Sequence, residues 1–151
     1  MPAFLDLHSR TSKLLRALVE RSVRPYELYP GQDLVLGVLW DHDGRTPGEV
    51  AAALNVTTPT IVKMANRMTE TGLLTRRGDP DDNRLVRLWL TDKGHELRDR
   101  VENSRTSLEN LITADLTDTE RRCLLTALEK VHHSAARLLE QPHIRERPAN
   151  P

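Results

Sequence analysis

A mainly α fold carrying a small β-wing is the prediction for this chain, and three features of the sequence support it. Two short helices open on threonine–proline signals, at Thr46-Pro47 and at Thr57-Thr58-Pro59. A charged two-stranded hairpin, about Leu73 to Leu90, follows them directly, and long amphipathic stretches flank the whole on both sides. Helix, turn, helix and hairpin in that order outline a winged helix-turn-helix. The dominant use of such a unit is to place one helix in the DNA major groove with a basic hairpin beside it. The flanking helices are suited to pairing two copies.

Composition agrees with packed helices. The chain has 151 residues, enough for one domain with a good core and hardly enough for two. Aromatic residues are only 3%, and a core drawn from Leu, Val and Ala fits helices better than a sheet sandwich. The formal net charge is zero, which argues against a general affinity for nucleic acid but leaves room for segregated charge. From Thr57 to Leu90 there are six basic residues against four acidic ones, and three of those acids (Asp79, Asp81, Asp82) share one loop. Cys123 is the only cysteine, so no internal disulfide can form. No apolar run approaches the ~20 residues of a membrane span. The N-terminus lacks the basic-then-apolar plan of a secretory signal, so a cytoplasmic location is expected.

The elements can be justified in turn. Phe4, Leu7, Leu14, Leu15, Leu18 and Val23 recur at helical spacing, predicting a first amphipathic helix over 3–23. Pro25 and Pro30 bracket a linker, with Pro30 suited to the first position of a second helix. That helix, roughly 31–41, is expected to turn Leu34, Val35, Val38 and Leu39 inward and to end before Asp43-Gly44. Thr46-Pro47-Gly48-Glu49 is a capping box that opens a third helix running to about Leu54, with Val50, Ala51 and Leu54 buried. Asn55 suits a left-handed turn residue. Thr57 or Thr58 caps the fourth helix, whose Ile61, Met64, Ala65 and Met68 form one buried stripe before Gly72. Strands are expected over 73–77 and 85–90, joined by the turn chemistry of Gly78-Asp79-Pro80-Asp81-Asp82-Asn83. Thr91 starts a long fifth helix with Leu97, Val101, Leu108, Leu111 and Ile112 on its apolar side. Thr117 to Glu120 is a second capping box, opening a sixth helix rich in Leu. The tail from Pro142 reads as disordered.

The fourth helix has two faces. Opposite its apolar stripe lie Thr58, Thr60, Val62, Lys63, Asn66 and Arg67: short groups early, cations later. Hydroxyls and apolar tips can meet base edges, while cations reach bases or phosphates. An ordinary solvated face would look much the same, so this helix alone leaves the two readings even. The hairpin shifts the balance, because its loop ends in Arg84, and arginine is favoured in narrow minor grooves. Asp82, two residues earlier, can pair with Arg84 and fix its direction. A merely charged hairpin that resists edge pairing would explain the charge but not its place after a helix-turn-helix.

The segment Asp82-Asn83-Arg84, five residues, then Leu90-Thr91, with Gly72-Leu73-Leu74 and Arg76 before it and Gly94 after it, resembles the MarR family of regulators. Upstream, PYELYPGQDLVLGVLW resembles that family's linker and second helix. The resemblance runs from about Ala3 to Leu139. It implies a single MarR-like domain over 1–141, with a winged helix-turn-helix core at about 30–94, dimerisation helices at about 3–24 and 92–141, and a disordered tail over 142–151. It implies a homodimeric repressor of double-stranded DNA, reading a pseudo-palindromic operator and released by a small aromatic or lipophilic ligand. Thr58, Thr60, Val62, Lys63 and Arg67 would face the major groove and Arg84 the minor groove, with Asp82 and Arg76 supporting the wing. Asn83 stands where a basic wing residue is common, and Val62 where a hydroxyl is common.

Other residues weigh less. Trp40, Tyr26 and Tyr29 are candidates for an aromatic ligand pocket, although ordinary packing is as good an account. Cys123 is expected to be a buried structural thiol. His132 and His133 are adjacent, so on a helix they diverge by about 100° and cannot chelate as an i, i+4 pair would. No catalytic, phosphate-binding or metal motif is recognisable, so no enzyme activity, metal or cofactor is expected. A ligand-responsive repressor leads. A ligand-independent DNA-binding regulator or activator, and a winged-helix module for protein–protein assembly, stand behind it.

Overall fold

The computed structural model describes residues 3–140. Its helices are α1 (Ala3–Val23), α2 (Gln32–Asp41), α3 (Pro47–Leu54), α4 (Thr58–Glu70), α5 (Asp92–Glu96), α6 (Arg98–Ile112) and α7 (Asp118–Glu140). A 3-10 turn, Arg24–Tyr26, follows α1. Strands β1 (Leu74–Gly78) and β2 (Val86–Leu90) pair antiparallel, with Leu74 opposite Leu90 and Gly78 opposite Val86. The fold is therefore mainly helical with a two-stranded wing, as its sequence predicts. Two compact units divide at Glu109–Asn110. The tail expected over 142–151 lies outside the described residues.

In the first unit, Val35, Leu36 and Leu39 of α2 pack with Val50 and Ala51 of α3. Ile61, Ala65 and Met68 of α4, Leu74, Leu88 and Leu90 of the strands, and Leu97 and Val101 beyond complete this core. Both predicted stop signals hold: Asn55 (φ 53°) and Gly72 (φ 76°) are left-handed. The Thr46 hydroxyl accepts from Glu49 N at 3.2 Å, while the Glu49 carboxylate accepts from Thr46 N at 2.7 Å.

Four expectations need correction. The second helix begins at Gln32 after Gly31, which is left-handed at φ 89°, so Pro30 lies outside it. The buried face also differs: Leu36 is buried beside Val35 and Leu39, and Leu34 is 45% exposed. The long fifth helix is two helices, α5 and α6, meeting at Leu97, which ends α5 at φ −73°, ψ −18°. Cys123 is exposed rather than buried. It sits on α7, which buries none of its residues within one copy of the chain.

Candidate nucleic-acid interface

α4 presents the two faces its sequence implies. Ile61, Ala65 and Met68 are fully buried, while Thr58, Thr60, Val62, Lys63, Asn66 and Arg67 are exposed. Thr57 is the N-cap, but its hydroxyl lies 2.8 Å from the Thr60 hydroxyl and makes no capping bond. The backbone closes this helix start instead: Thr60 N donates to the Thr57 carbonyl at 3.1 Å, and Pro59 before it has no N–H to satisfy. Lys63 and Arg67 form no ion pair among the described residues.

The wing is fixed to the helical unit by side chains with no sequence signature of their own. Leu90 N donates to Asp43 Oδ1 at 3.0 Å and Leu88 N to the Arg45 carbonyl at 2.8 Å, tying β2 to the loop between α2 and α3. Arg87 donates to the Gly44 carbonyl at 2.9 Å and, through Nε, to Asp79. Its guanidinium also lies 3.6 Å from the Glu49 carboxylate. Asp79, 8% exposed, accepts in addition from the backbone N–H groups of Asp81 and Asp82, at 2.8 and 3.0 Å. The Arg87 hydrogen bond, with those two N–H groups, holds the Asp79 carboxyl below the usual aspartate range. Gly44 is left-handed (φ 73°), and a Cβ there would lie 2.5 Å from the Trp89 ring.

At the wing tip, Asp82 Oδ1 accepts from Arg84 N at 3.0 Å and lies 3.5 Å from Arg84 Nε. The Arg84 side chain is 93% exposed, so it is directed without being covered. Arg76 of β1 donates to Asn66 of α4, which brings the wing's first strand against the exposed face of α4. Thus Asp82 steers Arg84, while Arg76 links wing to helix.

The three aromatic candidates are not brought together. The Trp40 indole belongs to the core and donates to the Gly94 carbonyl at 3.0 Å, so its N–H is occupied. Tyr26 lies under the Arg100 guanidinium, 5.0 Å from ring centre to Cζ, in a hollow that also includes Lys93 and Glu96. Tyr29 is 61% exposed and lines a different hollow, beside Lys63 and Arg67. The spacing of aromatics along the chain carried no information about which side of α2 each would take. A larger hollow of about 400 Å³ does lie among α1, α2 and α6, lined by Arg16, Val19, Glu20, Pro30, Leu34 and Arg105, with the buried Asp33 paired to Arg105. Neither Trp40 nor either tyrosine lines it. Among the described residues no group of three or more His, Cys, Asp or Glu side chains is placed to hold a metal.

Comparison with known proteins places this architecture. The MarR family model matches residues 31–85, which run from α2 into the wing. The organic hydroperoxide resistance transcriptional regulator of Bacillus subtilis (strain 168) is 30% identical over 106 residues, covering 69% of this chain and 71% of that protein. The chain belongs to the MarR family. Another MarR-type relative, the HTH-type transcriptional regulator TtmR of Methylorubrum extorquens (strain PA1), is 31% identical over 120 residues, which is 78% of this chain and 60% of that protein. The chain thus spans about three-fifths of that relative's length. A solved structure of the transcriptional repressor CouR bound to a 23-mer DNA duplex superposes on this MarR-family chain with a TM-score of 0.78 at 30% identity. That match covers 83% of this chain and 89% of CouR.

Proposed function

We propose that this chain is a sequence-specific DNA-binding transcriptional regulator, acting as a homodimeric repressor that a small molecule releases from its operator. The observation that carries the reading is the joint placement of the exposed α4 face and the wing. Arg76 bonded to Asn66 sets the hairpin against that face, and Arg84 extends from the tip with its direction set by Asp82. Thr58, Thr60, Val62, Lys63 and Arg67 read or grip the major groove, and Arg84 enters the minor groove. The similarity to CouR, whose structure was solved on a DNA duplex, supports the same use here.

Dimerisation is supported by apolar surface that one copy leaves open. Phe4, Leu5, Leu7 and Leu14 of α1 are 51–67% exposed, and Leu124, Leu125, Leu128 and Leu138 of α7 are 42–50% exposed. A two-fold pair would read a pseudo-palindrome, with recognition helices about 34 Å apart. Release by a ligand is supported by the hollow among α1, α2 and α6, where Arg16 stands beside apolar Val19 and Leu34, while Arg105 is already taken up by the buried Asp33. A ligand acts there only as far as it prefers the half-site spacing that does not fit DNA. A preference of ~1–3 kcal/mol weakens operator binding several-fold to a hundredfold.

Footprinting the purified protein on its own upstream region, with and without small aromatic carboxylates, tests the whole reading. A protected pseudo-palindrome that is lost on adding ligand is expected. Protection that no ligand relieves would favour a ligand-independent regulator, and no protection on any duplex would favour an assembly module. Arg84→Ala should weaken operator binding and lower the salt slope by roughly one unit, because one cation is lost from the phosphate-lined groove.

A further inference from the structure

The residue that this arrangement leaves unexplained is Tyr29. Its aromatic ring is among the more exposed in the molecule, yet the backbone that carries it is fixed. Tyr29 N donates to the Gln32 side chain at 3.0 Å, Gln32 N donates back to the Tyr29 carbonyl at 3.1 Å, and Gln32 is 2% exposed. Two residues on, Gly31 adopts φ 89°, and a Cβ there would stand 3.0 Å from Met64 Cε of α4. Only glycine brings the chain this close to α4 in a left-handed conformation. Tyr29 is therefore held against the flank of α4, and its hydroxyl has no partner among the described residues.

The hollow it lines is shared with Gln32, Thr60, Lys63, Met64 and Arg67. Two cations and a phenol with no partners converge there, and no carboxylate lines it. At about 130 Å³ it is well below the 300–1,000 Å³ typical of a drug-sized ligand, so it suits a small anionic group and not an aromatic molecule.

We infer that this hollow seats one phosphodiester group of the operator backbone, with the Tyr29 hydroxyl donating to a phosphate oxygen and Lys63 and Arg67 supplying the charge. Tyr29 is thus a DNA contact from outside the helix-turn-helix. It fixes how deeply α4 sits in the groove and reads no base. The inference rests on the DNA-binding reading above. A free phosphate ion offers the same chemistry, but Thr60 and Lys63 border the hollow and belong to the groove-facing side of α4, which favours the backbone as the source.

The test is operator binding by Tyr29→Phe, which removes only the hydroxyl. Because that hydroxyl is exposed, thermal melting should be unchanged. Affinity should fall roughly tenfold to a hundredfold, as for one hydrogen bond to a charged oxygen. The loss should be equal on the operator and on a scrambled duplex, and the salt slope should not change. Lys63→Ala, by contrast, should lower that slope by roughly one unit. On a duplex in which a single methylphosphonate replaces the contacted phosphate, Tyr29→Phe should cost nothing further. Unchanged affinity in Tyr29→Phe, with Arg84→Ala and Lys63→Ala both impaired, overturns the inference and leaves the DNA reading standing. If all three bind as the unmodified chain does, the DNA reading itself fails. Saturable binding of inorganic phosphate to the DNA-free chain, abolished by Tyr29→Phe while operator affinity is unaffected, would assign the hollow to the free ion and also overturn the inference.

Discussion

The third and seventh helices begin in nearly the same way and end up in very different surroundings. Each opens on a Thr-x-x-Glu box whose glutamate backbone N–H lies 3.2 Å from the threonine hydroxyl. The returning carboxylate takes the threonine N–H at 2.7 Å in one and 2.8 Å in the other. α3 then buries Val50 and Ala51 in the core, whereas α7, almost three times as long, buries nothing within one copy. A capping box satisfies the backbone groups of the first turn, so it determines where a helix starts. What the helix packs against depends on which surfaces the rest of the chain, or another chain, brings to its apolar side. Four predictions can break or sharpen this contrast.

The largest effect is expected at the exposed apolar stripe of α7. Leu128→Asp or Leu138→Asp should give monomers or insoluble protein, because a carboxylate placed in an apolar interface costs several kcal/mol. Light scattering reads this directly. A stable monomer for the unmodified chain would remove the contrast at its root, leaving α7 merely exposed.

Within the self-contained unit, Gly94→Ala should be the most damaging small change. A Cβ there would lie 2.5 Å from the Leu73 carbonyl oxygen, and the Trp40 indole already donates to the Gly94 carbonyl, so neither neighbour is free to move. A loss of about 1–3 kcal/mol is expected from overpacking, read as a lower denaturation midpoint at unchanged slope. If oligomeric state changes instead, the first unit depends on its partner more than its buried core implies.

Thr46→Ala and Thr117→Ala compare the two boxes themselves. Each should cost roughly 1 kcal/mol of helix start. For α3 the loss should appear in global unfolding, since the helix is part of the core. For α7 it should appear as faster hydrogen exchange in its first turn. Equal effects on global unfolding would show that α7 is as integrated as α3.

The smallest effect concerns acid. Hydrogen bonds with the Thr46 and Thr117 backbones hold the Glu49 and Glu120 carboxyls below the usual glutamate value of 4.5, and Arg87 holds Asp79 below 3.8. A depressed value in the folded state stabilises fully above the ordinary one and is lost as pH falls through the folded one. Amide protection at Asp81 and Asp82 should therefore be flat from neutral pH to about 4 and decline only below the ordinary aspartate value. Asp79→Asn should weaken it already at neutral pH. Protection that falls between pH 7 and 5 would mean that the wing is held by something other than Asp79.

Local chemistry made much of this legible beforehand. Thr46, Glu49, Asn55, Gly72 and Thr91 each specify a helix end through bonds to residues three or four positions away. The burial of Ile61, Ala65 and Met68 follows from a period of 3.6. Their periodicity also placed Thr58, Thr60, Val62, Lys63 and Arg67 on the opposite, exposed side. Asp82 and Arg84 are two residues apart, so their pairing could be read directly. By contrast, the Arg87 bond to the Gly44 carbonyl spans 43 residues and the Trp40 bond to Gly94 spans 54. No spacing along a chain announces a contact that long, because it exists only once the intervening helices have packed. The same reason separates Tyr29 from Trp40, which the sequence grouped as aromatics near one linker. The side that α2 turns to the core and the close approach of Gly31 to Met64 put one in the core and the other beside α4. Sequence alone determined the ends of α3 and α4 and the buried side of α4, since those choices are made within a turn, but not the start and buried side of α2 or the break at Leu97. Tertiary structure alone decided which polar groups meet across the fold, and so which residues hold the wing and which flank the exposed face of α4.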